Sequence, residues 1–387
     1  MLQVWILQGC IVGAMPKNPY SYGGPVTGRH FAGRDAEVAA LVSRMRNGVS
    51  VAVTGPRRYG KSSLILRVVE AIRAESGAVA SINLLHCPSL DAFASRLTSA
   101  AFEIPGARWR RTRQAVPEFL SRLSSRPTVT FGDDGRPAFG FGGLDARDAG
   151  RVLDDVYGML AALADKRPAV LVFDEFHAIA DLGTGLAGVL KALGDEHPQV
   201  SLVVASSKRH LMEALVVSKG APLYNMAERL ALGPIEPDAL LAYLRARARS
   251  GGKDMGEDAA LEVCTRAGPV PYDVQRLAYE AFDVAGCRLS FEDIGAGMAR
   301  VVEHETPDFS DRFSARAPGQ RRVLVAVAAR CGIREPNAAA FAREVGYATP
   351  AGTRRAITSL VEAEMLVVRD GVWVVADPFF AEWLRQL

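Results

Sequence analysis

The segment Gly55–Ser63, GPRRYGKSS, lies between the β-branched run Ser50–Thr54 and a stretch, Ser62–Glu75, in which Leu64, Ile65, Val68, Val69 and Ile72 recur at helical spacing. A short apolar run before a Gly-rich turn reads as a buried strand, and the recurrence after it as a helix with one apolar face. Strand, Gly-rich loop and helix in that order point to an α/β sheet with parallel strands. The spacing Gly55-x-x-x-x-Gly60-Lys61-Ser62 also has a chemical purpose. Glycines let the backbone curl until successive N–H groups converge beside the positive end of the next helix, and such a nest accepts phosphate. Lys61 is expected to reach the β- and γ-phosphates of a nucleotide, and the Ser62 hydroxyl to bind magnesium. Pro56, Arg57, Arg58, Tyr59 and Ser63 complete the cofactor-binding set. The two arginines are placed to meet phosphate or a neighbouring subunit. The alternative, a chance Gly-rich turn, leaves the flanking strand and helix unexplained.

Nucleotide hydrolysis also needs an acid at the tip of a neighbouring strand. Ala169–Phe173, AVLVF, is apolar throughout and runs into Asp174-Glu175. Asp174 is expected to hold magnesium through water, and Glu175 to polarise the attacking water as general base. Two acids ending a strand are common alone; joined to the upstream loop they are specific, and they favour hydrolysis over nucleotide sensing. Ser201–Ala205 reads as the next strand. Ser206 at its end is a candidate contact to the γ-phosphate or the attacking water, against the plainer reading of a turn serine. Arg209 and Arg229 are candidate arginine fingers or sensors, each weighed against a solvated surface arginine. The catalytic set is therefore Glu175, Asp174, Lys61, Ser206 and Arg229, with Ser62 and Asp174 as metal ligands. His177 reads as a packing residue.

The chain of 387 residues is long enough for two or three domains, and its formal charge of +3 gives no global case for nucleic acid. Its five cysteines lack the spacing of a zinc site and read as free thiols of a reducing cytoplasm. Residues 1–14 are apolar but too short to span a bilayer, and no later run suggests a membrane. Residues 1–16 are expected to be an extension, with Met15 the more natural start. Residues 17–232 read as the core, with a hairpin insert at about 104–150 formed by Thr128–Phe131 and Ala138–Phe141. Helices at Pro237–Ser250, Asp258–Arg266, Pro271–Ala285 and Phe291–Glu303 read as a helical lid over 233–307. After a linker around Asp308–Pro318, three helices and a hairpin turning at Arg369-Asp370-Gly371 read as a winged helix-turn-helix over 308–387. The expected fold class is α/β: a P-loop NTPase with helices on both faces of a parallel sheet, followed by the helical lid and the winged helix.

Taken together these pieces resemble one family, the archaeal-type ATPases of the STAND branch of the AAA+ superfamily, relatives of the origin-recognition ATPases. The resemblance rests on Asn18-Pro19-Tyr20 through Gly28, on Phe31-Ala-Gly33-Arg34, and on GPRRYGKSS. DEFHAI from Asp174 is similar to the family's acidic motif, which usually carries Gln where His177 stands. SSKRHLM from Ser206, PLYNMAERLALGPI from Pro222, the stretch Ala267–Gln275, and Asp377-Pro378-Phe379-Phe380 also resemble family segments. The likeness implies that the N-terminal box lies beside the adenine, and that the turn at Pro271 closes over the base. It further implies a switch in which ATP sets the relation of core, lid and winged helix, and hydrolysis resets it.

Two functions of different class follow. One is an ATP-driven switch, slow in turnover, whose output is contact with a protein partner or self-association. The other is an initiator-like ATPase whose winged helix binds duplex DNA through Arg354 and Arg355, with Arg343 and Arg369 in support. Winged helices also bind proteins, and acids at Glu362, Glu364, Asp370, Asp377 and Glu382 dilute the basic face. A phosphotransferase built on the same loop is disfavoured by the lid, the winged helix and the Asp-Glu pair.

Overall fold

The computed structural model describes residues 17–104, 116–183 and 185–387, without the side chains of 209, 210 and 217. Two compact units divide them: residues 24–236, and residues 17–23 together with 237–387.

In the first unit the strands are β1 (Val51–Thr54), β2 (Ala78–Asn83), a hairpin of β3 (Thr128–Phe131) and β4 (Pro137–Gly140), then β5 (Ala169–Asp174), β6 (Val200–Ser206) and β7 (Glu228–Ala231). Five of them form one sheet in the order β2-β5-β6-β1-β7, and every pairing is parallel. Residues in β1, β5 and β6 are buried without exception, as a sheet covered on both faces requires. Alternate side chains separate into two cores. Val51 and Val53 meet Leu64, Val68 and Ile72 of the helix Lys61–Ala74 on one face. Ala52, Leu171 and Val204 share the other with Phe93, Leu153 and Val156.

Local differences from expectation have physical causes. β7 was not anticipated: it is an edge strand, mostly exposed, and its residues show no apolar period. The helix Ala146–Ala164 begins where it does because the Asp145 carboxylate accepts from the Asp148 amide at 2.8 Å and caps it. The hairpin's second strand sits one residue earlier than expected, and Phe139 packs from it against Phe102 and Phe119. Part of the expected insert, 105–115, lies outside the described residues, as do residues 1–16. Cys87, Cys264 and Cys331 are free thiols, whereas Cys287 is disulfide-bonded, against the expectation for all five. Among the described residues no helix is long and apolar enough to cross a membrane.

The second unit holds the helices Pro237–Ser250, Glu257–Ala267, Pro271–Val284 and Phe291–Ser314. The last runs through the expected linker despite Pro307 inside it. Its C-terminal part is held by packing, with Phe309 buried against Phe380 and Trp383 of the helix Pro378–Arg385. The winged helix comprises Pro318–Ala329, Ala339–Glu344, Pro350–Glu362 and the antiparallel pair Leu366–Arg369 and Val372–Val375. The lead-in also belongs to this unit rather than to the core: the Tyr20 hydroxyl donates to the Leu244 carbonyl at 2.7 Å, and the Tyr22 ring meets Tyr272 and Tyr279 edge-on. Because Phe380 is fully buried in the cluster that joins the helical bundle to the winged helix, Phe380→Ala should destabilise this unit by about 3–5 kcal/mol. Chemical denaturation of the full chain followed by tryptophan fluorescence measures it.

Candidate functional site

Parallel pairing brings the carboxyl ends of β1, β5 and β6 to one edge of the sheet, where α/β folds place ligands. Thr54 stands beside Ser206 across β1 and β6, and Asn83 beside Asp174 across β2 and β5. Everything that follows Thr54, Asp174 and Ser206 in the chain therefore emerges at the same place.

The loop after β1 is shaped by two constraints. A side chain at Gly55 would put its Cβ 2.8 Å from the Leu232 carbonyl oxygen, so only glycine lets the loop leave the sheet there. Gly60 caps the helix Lys61–Ala74 at φ 85°, a conformation open to glycine at little cost. Lys61 is buried, and its ammonium donates to the carbonyls of Gly55 at 2.8 Å and Pro56 at 2.7 Å, so the cation sits inside the loop's own curl. Arg57 and Arg58 are exposed on the outside of the loop. The Ser63 hydroxyl accepts from the Val26 amide at 3.0 Å and ties the incoming chain to the helix start.

Facing the loop, the Ser62 hydroxyl hydrogen-bonds the buried Asp174 carboxylate, which also accepts from the Glu175 amide at 2.9 Å. Burial pushes the Asp174 carboxyl above its ordinary value, opposed by these donors and by Lys61. Burial pushes the Lys61 ammonium below its ordinary value, opposed by Glu175 and Asp174 and reinforced by Arg57. Both charges are thus held partly desolvated, and each gains when an opposite charge enters. Among the described residues no three His, Cys, Asp or Glu side chains gather as a metal cage. A hydroxyl and one carboxylate beside a phosphate nest are the sparse set with which magnesium is commonly held, the rest of its shell being water and phosphate.

Glu175 has a left-handed backbone, φ 51°, and its carboxylate leans toward the end of β6. Oε2 accepts from the Ser207 hydroxyl at 3.0 Å and the Ser207 amide at 3.3 Å. The His177 Nδ1 lies 3.3 Å from the same oxygen and 2.9 Å from the Ser206 hydroxyl, and His177 is buried. Ser206, expected to touch phosphate or water, instead spends its buried hydroxyl on His177 and on the Lys208 amide at 3.1 Å. Ser207 is the serine that meets Glu175. Arg229 lies exposed on the edge strand, level with Ala52 in mid-strand, and is not brought to the loop. The side chain of Arg209 lies outside the described set. Pro271 opens its helix in the second unit, at the first helical position.

Sequence reasoning also passed over the role of Arg34. Its side chain is only 4% exposed. Its guanidinium donates to the carbonyls of Gly233 at 2.6 Å, Tyr59 at 3.2 Å and Pro234 at 3.4 Å, and to the Glu37 carboxylate at 2.8 Å. One buried cation thus fastens the phosphate loop to the segment that leaves β7.

Residues 30–205 match the family model described as an AAA ATPase domain, and residues 307–386 the model described as a probable winged helix domain. The chain therefore carries an AAA ATPase domain followed by a winged helix domain. Among solved structures it is similar to the Walker-type ATPase of Pyrococcus abyssi, with 18% identity over 95% of this chain and 99% of that one and a TM-score of 0.63, a likeness of fold. The Aeropyrum pernix ORC1 protein in complex with DNA matches at 17% identity over 92% and 93% of the two chains, with a TM-score of 0.47. No curated protein matches the chain.

Truncating Arg34 to Ala would leave three carbonyls and Glu37 without their donor, so the variant should lose about 3–5 kcal/mol of stability. Chemical denaturation against wild type, with Arg34→Lys as a one-point donor for comparison, checks it.

Proposed function

We propose that the chain binds ATP with magnesium and hydrolyses it slowly as a switch of the STAND type, the nucleotide state governing contact with a partner. The observation that carries this reading is the buried Lys61 within a backbone nest, set against the Ser62–Asp174 pair with Glu175 beside it. In this reading the loop amides and Lys61 hold the β- and γ-phosphates, and Ser62 and Asp174 hold the metal. Bound there, magnesium would draw charge from the phosphate oxygens. Glu175 takes a proton from water as its oxygen bonds to the γ-phosphorus, the bond to the β-phosphate oxygen breaks, and ADP and phosphate leave. Arg57, Arg58 or Arg229 offered to a neighbouring copy, and Pro271 against the base, are further parts of the same proposal, as is a cytoplasmic setting.

A second reading, duplex DNA as the winged helix's partner, is favoured by one feature. Arg354 and Arg355 are exposed on Pro350–Glu362, the third helix of that fold. Arg369 offers less, because its guanidinium donates to the Ala376 carbonyl at 3.0 Å.

Lys61→Ala should abolish measurable Mg-ATP binding in calorimetry, since it removes the cation held inside the loop's curl; unchanged affinity would remove the loop's assignment. Glu175→Gln should bind ATP as wild type does while turnover falls by about 10²–10⁴-fold, and a wild-type rate would exclude Glu175 as the base. On duplex DNA, Arg354→Ala with Arg355→Ala should flatten the slope of log affinity against log salt by about two units. No binding by wild type at low salt would end the second reading.

A further inference from the structure

We infer that His177 is a positioning residue for hydrolysis, acting through the carboxylate of Glu175; the inference rests on the proposed role of Glu175 as general base. His177 is 4% exposed, and a buried imidazole that only filled space would need no alignment with two polar partners. Its Nδ1 stands 2.9 Å from the Ser206 hydroxyl oxygen and 3.3 Å from Glu175 Oε2. A carboxylate accepts and never donates, so the contact with Oε2 is favourable only when Nδ1 carries its hydrogen. Ser206 Oγ already accepts the Lys208 amide hydrogen at 3.1 Å, which fixes the serine where the imidazole can share its own hydrogen between serine and glutamate.

Around the carboxylate the donors are unevenly spread. Oε2 receives the Ser207 hydroxyl at 3.0 Å, the Ser207 amide at 3.3 Å and the His177 edge, whereas Oε1 has a single contact to Ser207 at 3.4 Å. One oxygen is pinned and the other keeps its lone pairs for a water molecule. The left-handed backbone at Glu175, followed by a 3₁₀ turn over Phe176–Leu182, brings His177 round to the same side as the Glu175 carboxylate. His177 therefore sets the direction in which Glu175 presents its basic oxygen.

The test is ATP turnover at saturation alongside ATP affinity by calorimetry, on the full chain. His177→Leu should lower kcat by about 10–100-fold, the cost of a misplaced catalytic group, and leave Kd within about twofold. His177→Gln, which restores an N–H donor, should recover most of that loss, a rescue that a packing role would not produce. In a Glu175→Gln background His177→Leu should cost nothing further, because both act on one step. Should His177→Leu fail to fold, Ser207→Ala removes the hydroxyl donor to the same oxygen while keeping the backbone amide, and should show the same split between kcat and Kd. A wild-type kcat for His177→Leu, equal losses for Leu and Gln, or a full additional loss in the Glu175→Gln background overturns the inference while leaving Glu175 as base. Wild-type turnover by Glu175→Gln overturns both.

Discussion

Parallel pairing of β5, β6 and β1 is the constraint on which the rest depends. Parallel strands need a crossover between each pair, and the crossovers here cover both faces, so these strands are buried throughout. The same pairing sends every strand end to one edge. Residues separated by more than a hundred positions, Lys61 and Asp174 among them, meet there because their strands share a sheet and a direction. A single antiparallel reversal among these strands would carry one member of the group to the opposite edge.

Legibility of the chain follows from how local each cause is. β1, β5 and β6 are short runs in which apolar residues predominate, and the loop after β1 has its own spacing, so the core and the grouping of Lys61, Ser62, Asp174 and Glu175 could be read from order alone. β7 could not, because an edge strand of exposed residues carries no period. The helix through Pro307 was hidden for the opposite reason: its local signal says break, and only the burial of Phe309 against a helix some seventy positions on, at Phe380, overrides it. His177 and Arg34 were illegible as well. The bonds of Arg34 to Tyr59, Gly233 and Pro234 span 25, 199 and 200 positions, and the His177–Ser206 contact spans 29. No pattern within one element reports such partners.

Three buried ionic groups do different work at this edge. Arg34 is saturated by carbonyls and a carboxylate, so it holds a shape and has little left to give a ligand. Lys61 has two carbonyls, which are weaker company for a cation than phosphate oxygens, and burial already pushes its proton affinity down. Asp174 is pushed the other way by the same burial. A polyanion accompanied by a divalent cation corrects both imbalances at once, whereas either alone corrects one and aggravates the other. That asymmetry supports joint recognition of nucleotide and metal over recognition of phosphate by itself.

The helix Phe291–Ser314 changes what a switch in this chain would have to move. A lid and a winged helix joined by a loose linker could reorient independently. Here one helix begins in the bundle, behind the cap that Ser290 and Asp293 form, and ends against Phe380 and Trp383 of the winged helix's last helix. The lead-in adds a second tie within the same unit, since Asn18 donates to the Tyr279 carbonyl at 2.9 Å and Tyr20 is buried beside Phe282. Independent motion of the winged helix would expose this aromatic cluster, and each large ring buried there is worth several kcal/mol. Two stretches of backbone pass between the units: the short exit after β7, where Arg34 grips Gly233 and Pro234, and the residues between Tyr22 and Val26. Of these two stretches, the exit after β7 is bonded through Arg34 to the phosphate loop at Tyr59.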